Sequence, residues 1–347
     1  MPGYCHGSLH LLPAYLFVNS GSEANELALR MARTYTGQKD MLVVDVGYHG
    51  NTQACIDISP YKFNSKGGAG AADFIHVAPI PDGYRGLYGY TEENIGEKYA
   101  GHIAEQLTHL AKSGKGVAAF IHESILSCGG QIVLPPNYLQ HAYQALRQAG
   151  AVCIADEVQV GFGRVGDSFW GFELQGVVPD IVTMGKPIGN GHPLGAVVCR
   201  PEIAEAFANG MEYFNTFGGN PVSCKIGREV LSIVKEHNLQ RHAKEVGDFL
   251  LQGLRQLQAK YEIMGDVRGH GLFLGFEMVK NRETKAAADE ACSYLANRMR
   301  ENGILMSVDG PLHNVIKIKP PLAFGKKHAE FLLESLEKVL GESKLQS

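Results

Sequence analysis

The stretch Thr183-Met184-Gly185-Lys186-Pro187-Ile188-Gly189-Asn190-Gly191-His192-Pro193 sets a lysine directly after the apolar run Asp180-Ile181-Val182-Thr183-Met184 and before a loop too rich in Gly and Pro for a helix. A lone lysine on a turn is ordinarily a solvated surface residue, because Lys is seldom buried. An amine at the end of an interior strand has a second use, since it can condense with an aldehyde to form a Schiff base. One strand earlier, Ile154-Ala155-Asp156-Glu157-Val158-Gln159 closes another apolar run with two acids. A buried carboxylate needs a partner or it neutralises. A protonated pyridine nitrogen would be such a partner, with Gln159 in reach of a ring hydroxyl. The plainer alternative is a helix N-cap at a strand exit.

Asn19-Ser20-Gly21-Ser22-Glu23-Ala24-Asn25-Glu26 heads a helical pattern. A Gly-Ser pair opening a helix offers free backbone N–H groups, a hydroxyl and the positive end of the helix dipole, which suits a phosphate. Read alone, the same residues describe an N-cap with a capping acid. Asp45-Val46-Gly47-Tyr48-His49-Gly50 follows a strand end, and Tyr48 is placed either to lie flat on a planar ligand or to fill the core. Phe214-Asn215-Thr216-Phe217-Gly218-Gly219-Asn220-Pro221 offers a further hydroxyl in a Gly-rich turn before a helix. Each piece is weak alone. Together, a phosphate cup, a ring-stacking aromatic, a buried Asp and a strand-end Lys are the parts that a pyridoxal phosphate site requires.

These residues need a frame, and the chain alternates short apolar runs with helical patterns. Strands are expected at Met41–Val46, Val117–His122, Val152–Asp156, Asp180–Met184 and Gly195–Cys199. Helices are expected at Ser22–Tyr35, Ile95–Lys112, Asn137–Gln148 and Glu202–Ala208. Strands that are apolar throughout and separated by helices argue for an α/β fold with a mostly parallel sheet covered on both faces. From about Pro221 the texture changes to two long helical stretches, Val222–His237 and Leu239–Lys260. Paired strands over Gly265–Glu277, a helix and a final strand near Val315–Ile318 follow. That pattern predicts a large domain over 1–222 and a smaller α+β domain over 223–347.

Composition excludes several classes. The 347 residues are 45% hydrophobic and 20% charged, with a formal net charge of −4, so no basic face for nucleic acid is expected. No run is long and apolar enough to span a membrane. The seven cysteines are scattered without a CxxC pair, which predicts reduced, intracellular thiols and no metal site. Met1–Pro13 reads neither as a secretory leader nor as an Arg-rich transit peptide. No GxGxxG or GxxxxGK turn follows a strand, which disfavours a nucleotide-binding enzyme.

From Leu16 to about Gly341 the chain resembles the class III aminotransferases of the fold-type I pyridoxal-phosphate superfamily. Ser20–Asn25, Tyr48–Gly50, Asp156–Gly163, Thr183–Pro193 and Thr216–Pro221 carry the resemblance. It implies that Lys186 forms the Schiff base with the cofactor, that Asp156 pairs with the pyridine nitrogen and that Gln159 contacts the ring oxygen. Tyr48 would cover one ring face and the Gly21 and Ser22 amides would hold the phosphate, with His49 and Glu123 also beside the cofactor. Thr216 would complete a neighbouring subunit's phosphate cup, which makes a homodimer part of the site. The resemblance also implies an N-terminal family segment ahead of Ser20 that this sequence does not show, and a mitochondrial setting.

A narrower branch is nearer. Ile58–Phe63, Tyr84-Arg85-Gly86, Ser127–Gln131, Gly185–Pro193 and Asp309-Gly310-Pro311 resemble the phospho-lyases, which act on ethanolamine phosphate or 5-phosphohydroxy-lysine. Amino-transferring members usually carry an Arg shortly before a late Pro-Pro, where it forks to a substrate α-carboxylate. Here Val315-Ile316-Lys317-Ile318-Lys319-Pro320-Pro321 has Lys317, which offers no bidentate fork. The Glu that pairs with that Arg in several members is matched by Cys128. Lys317 and Arg85 are the expected substrate residues, and Lys62, Arg85 and Lys319 are the cations available to a departing phosphate. The expectation is a lyase, with an ω-amine or alanine–glyoxylate type aminotransferase as the alternative and an inactive, shortened relative as the third reading.

Overall fold

The computed structural model describes residues 14–345, so the reading of Met1–Pro13 concerns residues outside those described. In chain order the strands are β1 (Ala14–Val18), β2 (Asp40–Val44), β3 (Ile75–Ala78), β4 (Val117–Glu123), β5 (Ile125–Leu126), β6 (Ile132–Val133), β7 (Val152–Asp156), β8 (Ile181–Met184), β9 (Gly195–Cys199), β10 (Met264–His270), β11 (Phe273–Met278), β12 (Ser307–Asp309) and β13 (Val315–Ile318). The helices are α1 (Gly21–Thr36), α2 (Gln53–Asp57), α3 (Pro60–Phe63), α4 (Ile95–Lys112), α5 (Tyr138–Gln148), α6 (Pro201–Phe207), α7 (Pro221–Glu236), α8 (Leu239–Lys260), α9 (Asp289–Glu301) and α10 (Lys326–Leu340).

Two compact units emerge. One runs to Ser124 and takes in Leu134–Phe162 and Ser168–Glu236; the other holds Ile125–Val133, Gly163–Asp167 and the chain from His237. The larger unit is built on a seven-stranded sheet of order β1-β9-β8-β7-β4-β2-β3. β3, β2, β4, β7 and β8 pair in parallel, and β9 runs antiparallel to both β8 and β1. This is the mostly parallel sheet with flanking helices that the alternating apolar runs and helical patterns predict. Every residue of β4, β7 and β8 is buried, as strands covered on both faces must be, which is why they read as unbroken apolar runs. α1 buries Ala24, Leu27, Ala28, Met31 and Ala32 along one stripe, and Ser20 Oγ caps it by accepting the Glu23 N–H at 3.1 Å.

The smaller unit carries a four-stranded antiparallel sheet of order β10-β11-β13-β12, and the short antiparallel β5–β6 pair, distant in sequence, packs against β10. Its core gathers Leu250, Leu254 and Leu257 of α8, Phe276 and Ile316 of the sheet, and Leu336 and Val339 of α10.

The first expected strand ends two residues early. Val46 takes φ +61, a region β-branched residues rarely adopt, and its N–H turns back to Asp45 Oδ1 at 2.9 Å. β1, β3, β12 and α10 add to the expected elements.

Candidate active site

Parallel pairing sets the carboxyl ends of β4, β7 and β8 side by side, so that Glu123 lies opposite Asp156 and Asp156 opposite Thr183. Ligands of open α/β sheets bind at this end. A cavity of about 500 Å³ has Gly21, Ser22, Tyr48, His49, Glu123, Asp156, Gln159 and Lys186 in its lining. Eight of the expected residues therefore share one wall, although they come from the start of α1, the loop after β2 and the exits of β4, β7 and β8. Thr216 is exposed in the turn before α7 and is not part of that lining, nor is Arg85, whose guanidinium stacks on the Tyr84 ring at 5.6 Å. Lys317 belongs to the smaller unit, where its Nζ bonds Asp309 Oδ2 at 2.9 Å.

Asp156 is 4% exposed and tightly held. Its Oδ2 accepts from Asn25 Nδ2 at 2.8 Å and meets His49 Nδ1 at 2.8 Å, while Oδ1 accepts from the Val158 N–H at 3.1 Å. Asn25 is fixed in turn by Thr183, whose Oγ1 donates to its Oδ1 at 2.6 Å. His49 Nε2 is buried without a partner. A proton there would be an unsatisfied buried donor, so the bonding pattern assigns the ring proton to Nδ1, which donates to Asp156. Asp156 thus spends its bonds on Asn25, His49 and one backbone N–H, and among the described residues no Lys or Arg forms an ion pair with it. A buried carboxylate so arranged calls for a cation from a ligand. The protonated ring nitrogen of pyridoxal phosphate meets that need, and the residues present fit the group.

The first turn of α1 adds the anion end. Ser20 and Glu23 do form the capping pair of the plainer reading, with Glu23 Oε2 accepting the Asn19 N–H at 2.9 Å. That leaves the Gly21 and Ser22 N–H groups at the dipole's positive end, where no intrahelical acceptor exists, so the cap does not use the donors that a phosphate would need. Gly21 is required by close approach, because a Cβ there would lie 2.7 Å from Val158 Cγ1. Gly50, at φ +136, would put a Cβ 2.6 Å from Ser22 Oγ.

Lys186 opens a 3-10 turn, Lys186–Ile188, at φ +26, an uncommon backbone state for a side-chain-bearing residue. The Tyr48 N–H donates to Glu123 Oε1 at 3.1 Å, and Lys62 Nζ stands 5.7 Å from the Tyr48 ring centroid. Asn25, Thr183, Asn19 and His192 are cavity or supporting residues not singled out from sequence. The available signal was Asn25 itself, a polar residue on the buried stripe of α1 that must have a buried partner.

The sequence matches the family model described as aminotransferase class-III over residues 10–340. It is 52% identical to a Drosophila melanogaster protein named alanine–glyoxylate aminotransferase 2-like, over 93% of this chain and 66% of that one. It is 42% identical to ethanolamine-phosphate phospho-lyase homolog 1 of Caenorhabditis elegans, over 95% of this chain and 73% of that one. The chain thus spans about two thirds of the length of such relatives. Among solved structures, a phospholyase from Arthrobacter in complex with phosphoethanolamine superposes with a TM-score of 0.89 at 37% identity, covering 96% of this chain and 78% of that one.

Proposed function

The chain belongs to the class-III aminotransferase family, with pyridoxal phosphate as its cofactor, and we propose that it is a phospho-lyase that removes phosphate from a phosphorylated amine, ethanolamine phosphate or 5-phosphohydroxy-lysine. One observation favours the lyase reading over amino transfer. Lys317, at the place of the carboxylate-binding Arg, already holds an internal carboxylate, Asp309, at 2.9 Å. A single ammonium so engaged offers no fork for a substrate carboxylate. An amine without one, such as ethanolamine phosphate, needs none. The name of the Caenorhabditis relative and the ligand of the Arthrobacter structure agree with this reading.

When bound, pyridoxal phosphate supplies an aldehyde for the amine and a ring that stabilises negative charge on the carbon bearing it. Lys186 would hold the cofactor through its ε-amine, and the same amine would take up the proton that leaves that carbon. Asp156, clamped by Asn25, His49 and the Val158 N–H, keeps the ring nitrogen's proton in place. Gln159 reaches the ring oxygen, Tyr48 with Glu123 behind it shields one face, and the Gly21 and Ser22 amides hold the cofactor's phosphate. Of the expected cations, Lys62 stands beside the lining residue Tyr48 and would stabilise charge on the departing phosphate. Thr216 reaches a second subunit's cofactor, and the compartment is mitochondrial, as the names of plant and human relatives suggest.

The test is product analysis. With ethanolamine phosphate and no keto acid, the protein should release phosphate, ammonia and acetaldehyde in equal amounts, and Lys186→Ala should release none. Turnover that appears only with pyruvate or glyoxylate would establish amino transfer instead, the reading favoured by the Drosophila relative's name.

A further inference from the structure

His192 lies in the loop that follows Lys186 and shares the same cavity lining. Its Nε2 is 2.8 Å from Ser223 Oγ in the first turn of α7. Ser223 is 2% exposed, and its hydroxyl is committed on the other side, where Asn220 Nδ2 donates to Oγ at 2.8 Å. The orientation of the Asn220 amide is fixed twice over. Its Oδ1 accepts the Ser223 N–H at 3.0 Å and its Nδ2 also donates to the Phe217 carbonyl at 2.7 Å. A hydroxyl that accepts from Asn220 keeps its own proton and a second lone pair, so it can meet His192 Nε2 as donor or as acceptor. With Ser223 as the donor, Nε2 is the acceptor and the ring proton sits on Nδ1. Among the described residues Nδ1 has no hydrogen-bond partner.

We propose that in the Asn220–Ser223–His192 relay Ser223 donates to Nε2, so that the ring presents an Nδ1–H donor to the cavity as a binding group for a phosphate monoester. Gln159, Asn19 and Ser20 line the same space but carry no charge, and Glu123 and Asp156 would repel a dianion. Beside Lys186 and the Asp156-bound His49, His192 is a lining side chain whose ring N–H can be offered to a phosphate. A hydrogen bond to a charged group with the donor preset in tautomer and rotamer loses little freedom when it forms. Two phosphates could be served, that of the cofactor and that of the substrate. The inference rests on the reading of this cavity as the cofactor and substrate site.

Binding measurements separate the sources. In His192→Phe, equilibrium titration should show an affinity loss of about tenfold or more for one phosphate-bearing ligand, the size expected for a hydrogen bond to a charged group. If ethanolamine phosphate weakens while ethanolamine does not, the substrate phosphate is the partner. If pyridoxal phosphate weakens while pyridoxal does not, it is the cofactor's. Ser223→Ala, which keeps the imidazole but frees its tautomer, should move the same ligand in the same direction by a smaller factor, and it serves should the Phe variant fold poorly. Equal losses for phosphorylated and unphosphorylated ligands, or no loss in either variant, would overturn the proposal. Failure to release phosphate from ethanolamine phosphate would overturn the lyase reading alone, because the affinity comparisons need no turnover.

Discussion

Glu157 is the second acid of the pair that closes β7, yet it faces away from the cavity. It is fully buried, and its carboxylate accepts from Ser124 Oγ at 2.5 Å and from the Gly171 and Phe172 N–H groups at 2.9 and 3.0 Å. Those bonds tie the turn carrying Val158 and Gln159 to the exit of β4. Burial raises its pKa from 4.5 to about 7, with the three donors opposing the rise. A folded-state value above the unfolded one means that the folded protein binds the extra proton. Stability from this group is therefore fully present below pH 4.5 and is lost as pH rises through about 7. The gap between the two values is worth about 3 kcal/mol at most. Thermal unfolding followed between pH 5 and 8 should show stability falling with pH, and Glu157→Gln should flatten that slope while lowering stability throughout. An unchanged slope would mean that the acid stays ionised in the fold. At this scale the places of Lys186, Asp156 and Tyr48 in the cavity lining were legible because each breaks a local rule, a charge or ring just past an apolar run. The clamp on Asp156 was not, because Asn25 and His49 lie 131 and 107 residues away in sequence and no local pattern encodes such a pairing.

Between α1 and the β7 exit the backbones approach closely enough that Val158 sits against Gly21 and against Gly185. Val158 also supplies the N–H that fixes Asp156, so one contact couples the proposed phosphate cup to the proposed ring anchor. A methyl group at position 21 would lie 2.7 and 2.9 Å from the two Val158 methyls, and a β-branched side chain has little rotamer freedom with which to retreat. Gly21→Ala should cost about 1–3 kcal/mol by overpacking and weaken pyridoxal phosphate binding, and adding Val158→Ala should restore much of both. Calorimetry and cofactor titration check this; a neutral single variant would show that the approach is looser than it looks. The central strands and α1, α4 and α8 were legible from period and apolar runs. β1 and β3 were not, since they are short strands of five and four residues at the two edges of the sheet, only partly buried, and His76 interrupts the apolar run of β3. The repeat Ala329, Leu332, Leu336, Val339 in α10 is a readable helical stripe that lies beyond the last expected strand.

Over the whole molecule most large apolar side chains are buried, which makes one stretch conspicuous. Met211, Phe214, Phe217 and Val222 are 67%, 76%, 69% and 64% exposed, and Thr216 lies among them, outside the lining of the cavity. Four large apolar side chains exposed within twelve residues are not what a folded chain leaves to water without a partner. The turn is not loose, since the Asn215 side chain bonds Asn19 at 2.8 Å and accepts the Gly218 N–H at 2.9 Å. A rigid apolar turn beside a hydroxyl that reaches no site in its own unit's cavity is well suited to a neighbour's. Sedimentation of the protein should therefore show a dimer, and Phe217→Glu, which adds a charge to the patch, should shift it to monomer. If Thr216 serves the second subunit, that monomer should also bind pyridoxal phosphate more weakly than the dimer does, while its folded far-ultraviolet spectrum stays intact. A monomeric wild type with full cofactor affinity would leave the exposed turn to some other partner and remove Thr216 from the site.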